Sequence, residues 1–248
     1  MDYHRYKPPY DRDGYVVIRR FLTREELSEL RFHIHRFIRE VVPALPETQV
    51  FHAVGENGHR QVRLVLRMNC DAFFEGYRSH PKWLSLAQTL LGETADAHPP
   101  IYFDKPPTTD VPTPPHQDNC SLGLDPPSGV EMLLATDGRM DEENGCLRYV
   151  PGSHRGGLRP HTYSGVRGFA LAAEFGPADE AREVAVALDP GDLVCHHPLT
   201  VHRALSNRSR HRSRTAFGMW FQGRSARQDP EISEFYNTHA RKAQLTGR

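Results

Sequence analysis

The sequence predicts a mainly β protein with flanking helices, its strands closing into a sandwich or barrel. Two observations carry this. Helical periodicity is confined to the first hundred residues and the C-terminal end, whereas short apolar runs dominate from about residue 100 to 222. The 20 prolines and 19 glycines among 248 residues also punctuate the chain too often for long helices. The expected organisation is one domain over 1–248: a helical buttress over about 1–95, a β core over about 96–222 and a C-terminal helix over about 229–245. The 31 basic residues balance 31 acidic ones, so no nucleic-acid footprint is expected. No run of 18 apolar residues exists, which predicts no membrane span. The opening Met1-Asp2-Tyr3-His4-Arg5-Tyr6 carries no apolar leader pattern, so the expected location is cytoplasmic.

The clearest helix opens at Thr23. Thr23-Arg24-Glu25-Glu26 is a capping box, and Leu22 and Leu27 stand where a hydrophobic staple belongs. Leu27, Leu30, Ile34, Phe37, Ile38 and Val41 recur at helical spacing until Pro43. A second helix fits Pro81 to Leu91, with Pro81 in its first turn and Gly92 beyond its end. A third opens at Asp229-Pro230. Strands are expected over 62–66, 100–103, 129–136, 146–150, 184–188, 192–196 and 215–221. The segment 155–182 contains five glycines and little periodicity, which predicts a mobile lid. Cys70, Cys120, Cys146 and Cys195 form no CxxC pair and are expected reduced and buried.

Most of the 15 histidines are ordinary surface or packing residues. Two places stand out. In Pro114-Pro115-His116-Gln117-Asp118, an extended backbone would aim His116 and Asp118 at one face, although a surface turn reads the same way. In Gly191-Asp192-Leu193-Val194-Cys195-His196-His197-Pro198-Leu199-Thr200-Val201-His202, a tight turn feeds a strand, and His202 lies eleven residues after Gly191. Asn207, Ser209, Arg212 and Arg214 follow, so the segment offers a third ligand and a cation. Two histidines and one carboxylate form the facial triad of non-haem Fe(II) oxygenases.

The whole pattern resembles the phytanoyl-CoA dioxygenase family of Fe(II)- and 2-oxoglutarate-dependent oxygenases over roughly residues 13–222. The resemblance rests on Asp13-Gly14-Tyr15-Val16-Val17-Ile18 running into the capped helix, and on Lys105-Pro106-Pro107 ahead of His116-Gln117-Asp118. It rests also on Glu143-Asn144-Gly145-Cys146-Leu147, Val150-Pro151-Gly152-Ser153-His154-Arg155, and Gly191-Asp192 with His197, His202, Asn207 and Ser209. It implies a double-stranded β-helix core, the cupin-like jelly roll. It also implies an oxidoreductase that binds Fe(II), 2-oxoglutarate and O2 and releases succinate and CO2. By position, His116, Asp118 and His202 carry over as the catalytic iron ligands, while His154 and His197 do not. Two departures stand out. Ala204 replaces a serine the family often uses toward the oxoacid. The family's oxoacid-binding arginine position holds Ser213, flanked by Arg212 and Arg214. Aligning Phe221 favours Arg214, with Arg212 as the alternative.

The resulting expectation is an oxygenase acting on a small metabolite or natural product, hydroxylating it because Asp118 is retained. Halogenating relatives replace that carboxylate with a small residue. Desaturation and cyclisation remain open within this chemistry. A metal-dependent hydrolase and a non-catalytic jelly-roll binding module are the readings outside it. Gln117, Asn119 and Arg148 are the candidate substrate contacts. Free imidazoles titrate near pH 6.5, which predicts loss of metal below about pH 6.

Overall fold

The computed structural model describes residues 2–54, 60–108, 111–166 and 169–246. Along the chain the strands are β1 (Tyr15–Ile18), β2 (Val50–Val54), β3 (Arg60–Val65), β4 (Ala95–Ala97), β5 (Ile101–Lys105), β6 (Thr113–His116), β7 (Leu124–Asp125), β8 (Gly129–Ala135), β9 (Leu147–Tyr149), β10 (His161–Val166), β11 (Phe169–Ala173), β12 (Val184–Val186), β13 (Leu193–His196), β14 (His202–Ala204), β15 (Arg214–Gly223) and β16 (Arg227–Gln228). The helices are α1 (Lys7–Asp13), α2 (Arg24–Glu40), α3 (Ala72–Gly76), α4 (Pro81–Leu91), α5 (Asn119–Leu122), α6 (Pro177–Glu180) and α7 (Pro230–Thr246). All seven expected strand regions carry strands, with ends shifted by at most two residues.

A major sheet runs in the order β1-β13-β8-β15-β5-β3-β2, with β4 also paired to β15. A minor sheet runs β12-β9-β14-β6. Both are antiparallel. Two-residue alternation sorts the central strands. Val130, Met132 and Leu134 of β8, Leu193 and Cys195 of β13, and Phe217, Met219 and Phe221 of β15 pack against the helices. Leu133, Ala135, Val194 and Ala216 face the other way, onto Leu147, Tyr149, Val186 and Ala204 of the minor sheet. This is the jelly roll with its helical buttress.

All three forecast helices form, as α2, α4 and α7. Thr23 accepts from the Glu26 backbone N–H, and the Glu26 carboxylate accepts from the Thr23 N–H, completing the capping box. Leu27, Leu30, Ile34 and Phe37 bury one face of α2, with Ile38 and Val41 packed beside them. In α4, Trp83, Leu86, Ala87 and Leu90 are buried, and Gly92 at φ +77° closes the helix in the left-handed conformation. Among the described residues, no helix is long and apolar enough to cross a membrane.

Two expectations need correction. All four cysteines are free, but Cys70 is exposed. The segment 155–182 is an ordered β10–β11 hairpin followed by α6, with residues 167 and 168 outside the described residues. Ala170 and Leu171 are each 2% exposed and pack with Cys120, Tyr163 and Tyr236. Arg159 also clamps Asp179 through two hydrogen bonds of 2.9 Å. The expected lack of burial is absent, so preferential proteolysis of this segment is not expected either.

The Glu143-Asn144-Gly145-Cys146-Leu147 motif has a structural role here. The Asn144 amide nitrogen donates to the carbonyls of Arg139 and Ser213, and its oxygen accepts from Asp141 N–H. Gly145 has φ +75°, and a Cβ there would run into the backbone oxygen of Leu205. That same oxygen accepts from Lys105 Nζ at 2.6 Å. Gly145→Ala should therefore destabilise the fold by about 3 kcal/mol, combining left-handed strain with a clash against backbone. For a chain of this size the thermal midpoint should fall by about 6–12 °C. An unchanged midpoint would show that the Leu205 turn yields freely.

Candidate metal centre and adjoining cavity

His116 ends β6 and His202 opens β14, where the antiparallel register sets them side by side. His116 Nδ1 donates to the Pro114 carbonyl at 2.8 Å, and His202 Nδ1 to the Thr200 carbonyl at 3.0 Å. Each carbonyl fixes its ring tautomer and leaves Nε2 with a free lone pair. Both Nε2 atoms face Asp118, at 3.5 Å from Oδ1 and 3.9 Å from Oδ2 respectively. The donor atoms of all three residues lie within 4.8 Å of one another. The strand forecast through Asp118 is corrected: β6 stops at His116, and Asp118 has helical dihedrals as the residue capping α5. Convergence comes from a bend, not from alternation along a strand.

A fourth residue, His196, stands in this cluster. Its Nε2–H donates to Asp118 Oδ2 at 2.9 Å, and its Nδ1 accepts from the Tyr149 hydroxyl at 3.0 Å. This two-bond chain runs from Tyr149 of the minor sheet through His196 of the major sheet to orient the carboxylate, while the two proposed imidazole ligands come from the minor sheet. Burial alone would raise the Asp118 carboxyl. His202, His116 and His196 outweigh it and hold Asp118 well below the usual carboxylate range.

Burial, and then neighbouring His116, lower His202 to about 3. A group with that value is protonated in about one molecule in 300 at pH 5.5. The expected loss of metal binding near pH 6 therefore cannot come from His202. In imidazole nitrogen NMR of the metal-free protein, its ring signals should stay in the neutral position from pH 7.5 to 5.5. Titration with a midpoint near 6.5 would contradict this burial.

The remaining sequence candidates separate cleanly. His197 lies outside the cluster, its ring tilted against those of Tyr10 and His154 and its Nδ1 accepting from Leu199 N–H. Burial lowers it to about 4. His154 donates from Nε2 to the Asp11 carbonyl. The Arg212 guanidinium is taken by Asp141, at 2.9 and 3.0 Å, and by Glu143, at 2.7 Å. Arg214 opens β15 on its inward face, is 6% exposed and lines the cavity holding His116, Asp118 and His202. Its Nε is buried without a hydrogen-bond partner. Ala204 lies opposite Thr113 in the register, and Thr113 lines the same cavity.

The three candidate substrate contacts are corrected. Gln117 is fully buried: its amide donates to the Gly157 and Leu199 carbonyls, and its oxygen accepts from Arg159 N–H. Asn119 is spent at both ends on the Leu124 backbone. Arg148 is ion-paired to Glu183 and Glu142. These residues hold loops and the sheet surface and do not line the cavity.

Sequence reasoning missed His196 and Glu131, which sit opposite each other on β13 and β8 and both face the cavity. Parity places them only once the buried face of each strand is known. On β13, Leu193 and Cys195 pack under the helices, so Val194 and His196 point inward.

A jelly roll whose minor sheet gathers two imidazoles beside a carboxylate, with a buried arginine in the same cavity, defines a class: the non-haem iron oxygenase scaffold. The family model of phytanoyl-CoA dioxygenase (PhyH) matches residues 10–216, and the chain belongs to that family. A probable phytanoyl-CoA dioxygenase of Caenorhabditis elegans is 25% identical over 81% of this chain and 69% of its own length. The peroxisomal phytanoyl-CoA dioxygenase of Rattus norvegicus is likewise 25% identical over 81% of the chain. The match spans 62% of the rat protein's length. The fold is shared with the epimerase SnoN, solved in complex with Fe3+, alpha ketoglutarate and nogalamycin RO. Its TM-score is 0.72 at 22% identity, covering 91% of this chain and 85% of that one.

Proposed function

We propose that this chain is an Fe(II)- and 2-oxoglutarate-dependent oxygenase that hydroxylates a small molecule, its 248 residues forming one catalytic unit. The observation that carries the reading is convergence. Two imidazoles with free Nε2 lone pairs, one carboxylate and one buried guanidinium whose Nε lacks a hydrogen-bond partner among the described residues line a single cavity. The donor set suits Fe(II), and the buried cation suits a dicarboxylate. With both bound, the centre supplies the oxidising chemistry of O2 activation, releasing succinate and CO2.

The chain's own residues do the rest. His116, Asp118 and His202 hold the ion. His196, braced by Tyr149, fixes the Asp118 carboxylate. Arg214 takes the distal carboxylate of the oxoacid, and Thr113 offers the hydroxyl that Ala204 lacks. Phe103, Leu133, Leu147 and Phe169 wall the cavity and exclude water. A hydrolytic reading leaves Arg214 without a role.

The test is an anaerobic titration of the Fe(II)-loaded protein with 2-oxoglutarate. A visible absorption band should appear at one equivalent, and admitting air should yield succinate. Succinate formation that ignores oxygen, or no band at all, would overturn the proposal.

A further inference from the structure

Beyond the metal and oxoacid positions, the cavity continues outward into a largely apolar chamber of about 770 Å3, counting its open mouth. Its walls include Leu64, Phe103, Leu122, Leu171, Trp220 and Tyr236. The polar groups there are few. His116 and Asp118 belong to the proposed metal centre, and Ser121 Oγ donates to the Asp118 carbonyl at 2.8 Å. The Tyr236 hydroxyl, the Trp220 indole N–H and the Cys120 thiol also border the chamber, but Glu131 is the one carboxyl outside the proposed metal centre among its described lining residues, and it lines both the inner cavity and the outer chamber.

Glu131 is placed by the sheet itself. It lies on the inward face of β8, between His196 of β13 and Trp220 of β15 in the register. Its even-numbered neighbours Val130 and Met132 are packed away beneath the helices. Trp220 is held in turn by stacking on His98, with ring centroids 3.4 Å apart and planes 11° from parallel. No hydrogen bond or ion pair engages the Glu131 carboxyl among the described residues. A carboxyl in such surroundings is costly unless something pairs with it. Since the protein supplies no partner, the molecule that fills the chamber is the natural source.

We infer that Glu131 is the specificity-determining anchor of the substrate chamber, and that the substrate is a mainly apolar small molecule carrying an amino or hydroxyl group that binds this carboxyl. Anionic substrates are disfavoured: burial and the neighbouring Asp118 already push the Glu131 carboxyl well above the usual carboxylate range, so the chamber's inner end resists a further negative charge. Trp220 and Phe103 flank the anchor with flat apolar surface suited to a ring. This inference rests on the proposed function for the identity of the reaction, but not for the binding preference.

The experiment uses two probe sets on the full chain. One is tryptamine, tryptophol, 3-ethylindole and indole-3-propionate. The other is the corresponding cyclohexyl amine, alcohol, hydrocarbon and carboxylate. Binding is read from perturbation of the anaerobic Fe(II)–2-oxoglutarate absorption band, and independently from thermal shift of the metal-free protein. The amine and alcohol of at least one set should bind at least tenfold tighter than its hydrocarbon and carboxylate. Glu131→Leu should erase that advantage. Glu131→Gln, which keeps shape and hydrogen bonding, should keep the alcohol preference and lose the amine's. No preference in the wild type, an unchanged preference in Glu131→Leu, or tightest binding of the carboxylate would each overturn the inference. A missing absorption band alongside an intact Glu131-dependent order in thermal shift would instead sink the proposed oxygenase and leave the anchor standing.

Discussion

Asp118→Ala should weaken Fe(II) binding by more than about 100-fold and abolish succinate formation, while the far-ultraviolet circular dichroism stays that of the wild type. The size of the effect follows from what Asp118 does. It is the charged member of the donor set, the acceptor of the His196 N–H at 2.9 Å, and the group both proposed imidazole ligands face. Loss of an outer partner of a metal ligand already costs about 10- to 100-fold in affinity. Removing the carboxylate deletes a proposed ligand and its negative charge together. His202→Ala and His116→Ala should behave alike. His196→Phe should fall in the outer-partner range, because it only positions Asp118. His197→Ala and His154→Ala should bind iron normally, since both rings lie outside the cluster. Loss of iron in His197→Ala with retention in His202→Ala would overturn the ligand assignment.

The second large effect concerns the oxoacid. Arg214→Ala should raise the 2-oxoglutarate concentration for half-maximal turnover by about 10- to 150-fold, with iron binding retained. A hydrogen bond to a charged partner is worth about 1.5–3 kcal/mol, and burial of Arg214 removes the screening that would shrink it. Arg214→Lys should recover part of the loss through charge alone, without the planar fork. Arg212→Ala should leave the oxoglutarate requirement within about twofold, because its guanidinium already serves Asp141 and Glu143. A half-exposed network of that kind contributes about 1 kcal/mol or less to stability. The reverse pattern would move the anchor to Arg212.

The outcome shows which physical signals survive in a single sequence. The start of α2 and both ends of α4 were legible to the residue, because caps are local chemistry: Thr23 and Glu26 act within a few residues of each other, and Pro81 and Gly92 each mark their own end. The three proposed ligands were legible because their spacing matched a family pattern, not because geometry could be read. The backbone at Asp118 bends where an extended strand was expected. Gln117 and Asn119 misled for a simple reason. Proximity in sequence to a ligand was read as proximity to substrate, whereas both side chains turn away to hold backbone. His196 and Glu131 were hidden by their strands. Both faces of β8 and β13 are covered, one by helices and one by the minor sheet, so neither strand shows the alternation that would reveal which residues look inward. The hairpin at 161–173 was hidden by glycine content, which marks turns as readily as mobility.

The pairing of His202 with His116 reaches past chemistry into the cohesion of the fold. Among the described residues, β6 is the outermost strand of the minor sheet, paired on one side only, to β14. A divalent ion held between the two strands acts as a rivet across that seam. Because an ion that binds only the native state stabilises it by mass action, an excess of 100 times the dissociation constant adds about 2.7 kcal/mol. That gain should be unevenly distributed: amide hydrogen exchange should slow most along 113–116 and 202–204 and least in the helical buttress. Iron supply would thus set how long the mouth of the barrel stays shut, tying the lifetime of the native chain to its fitness for turnover.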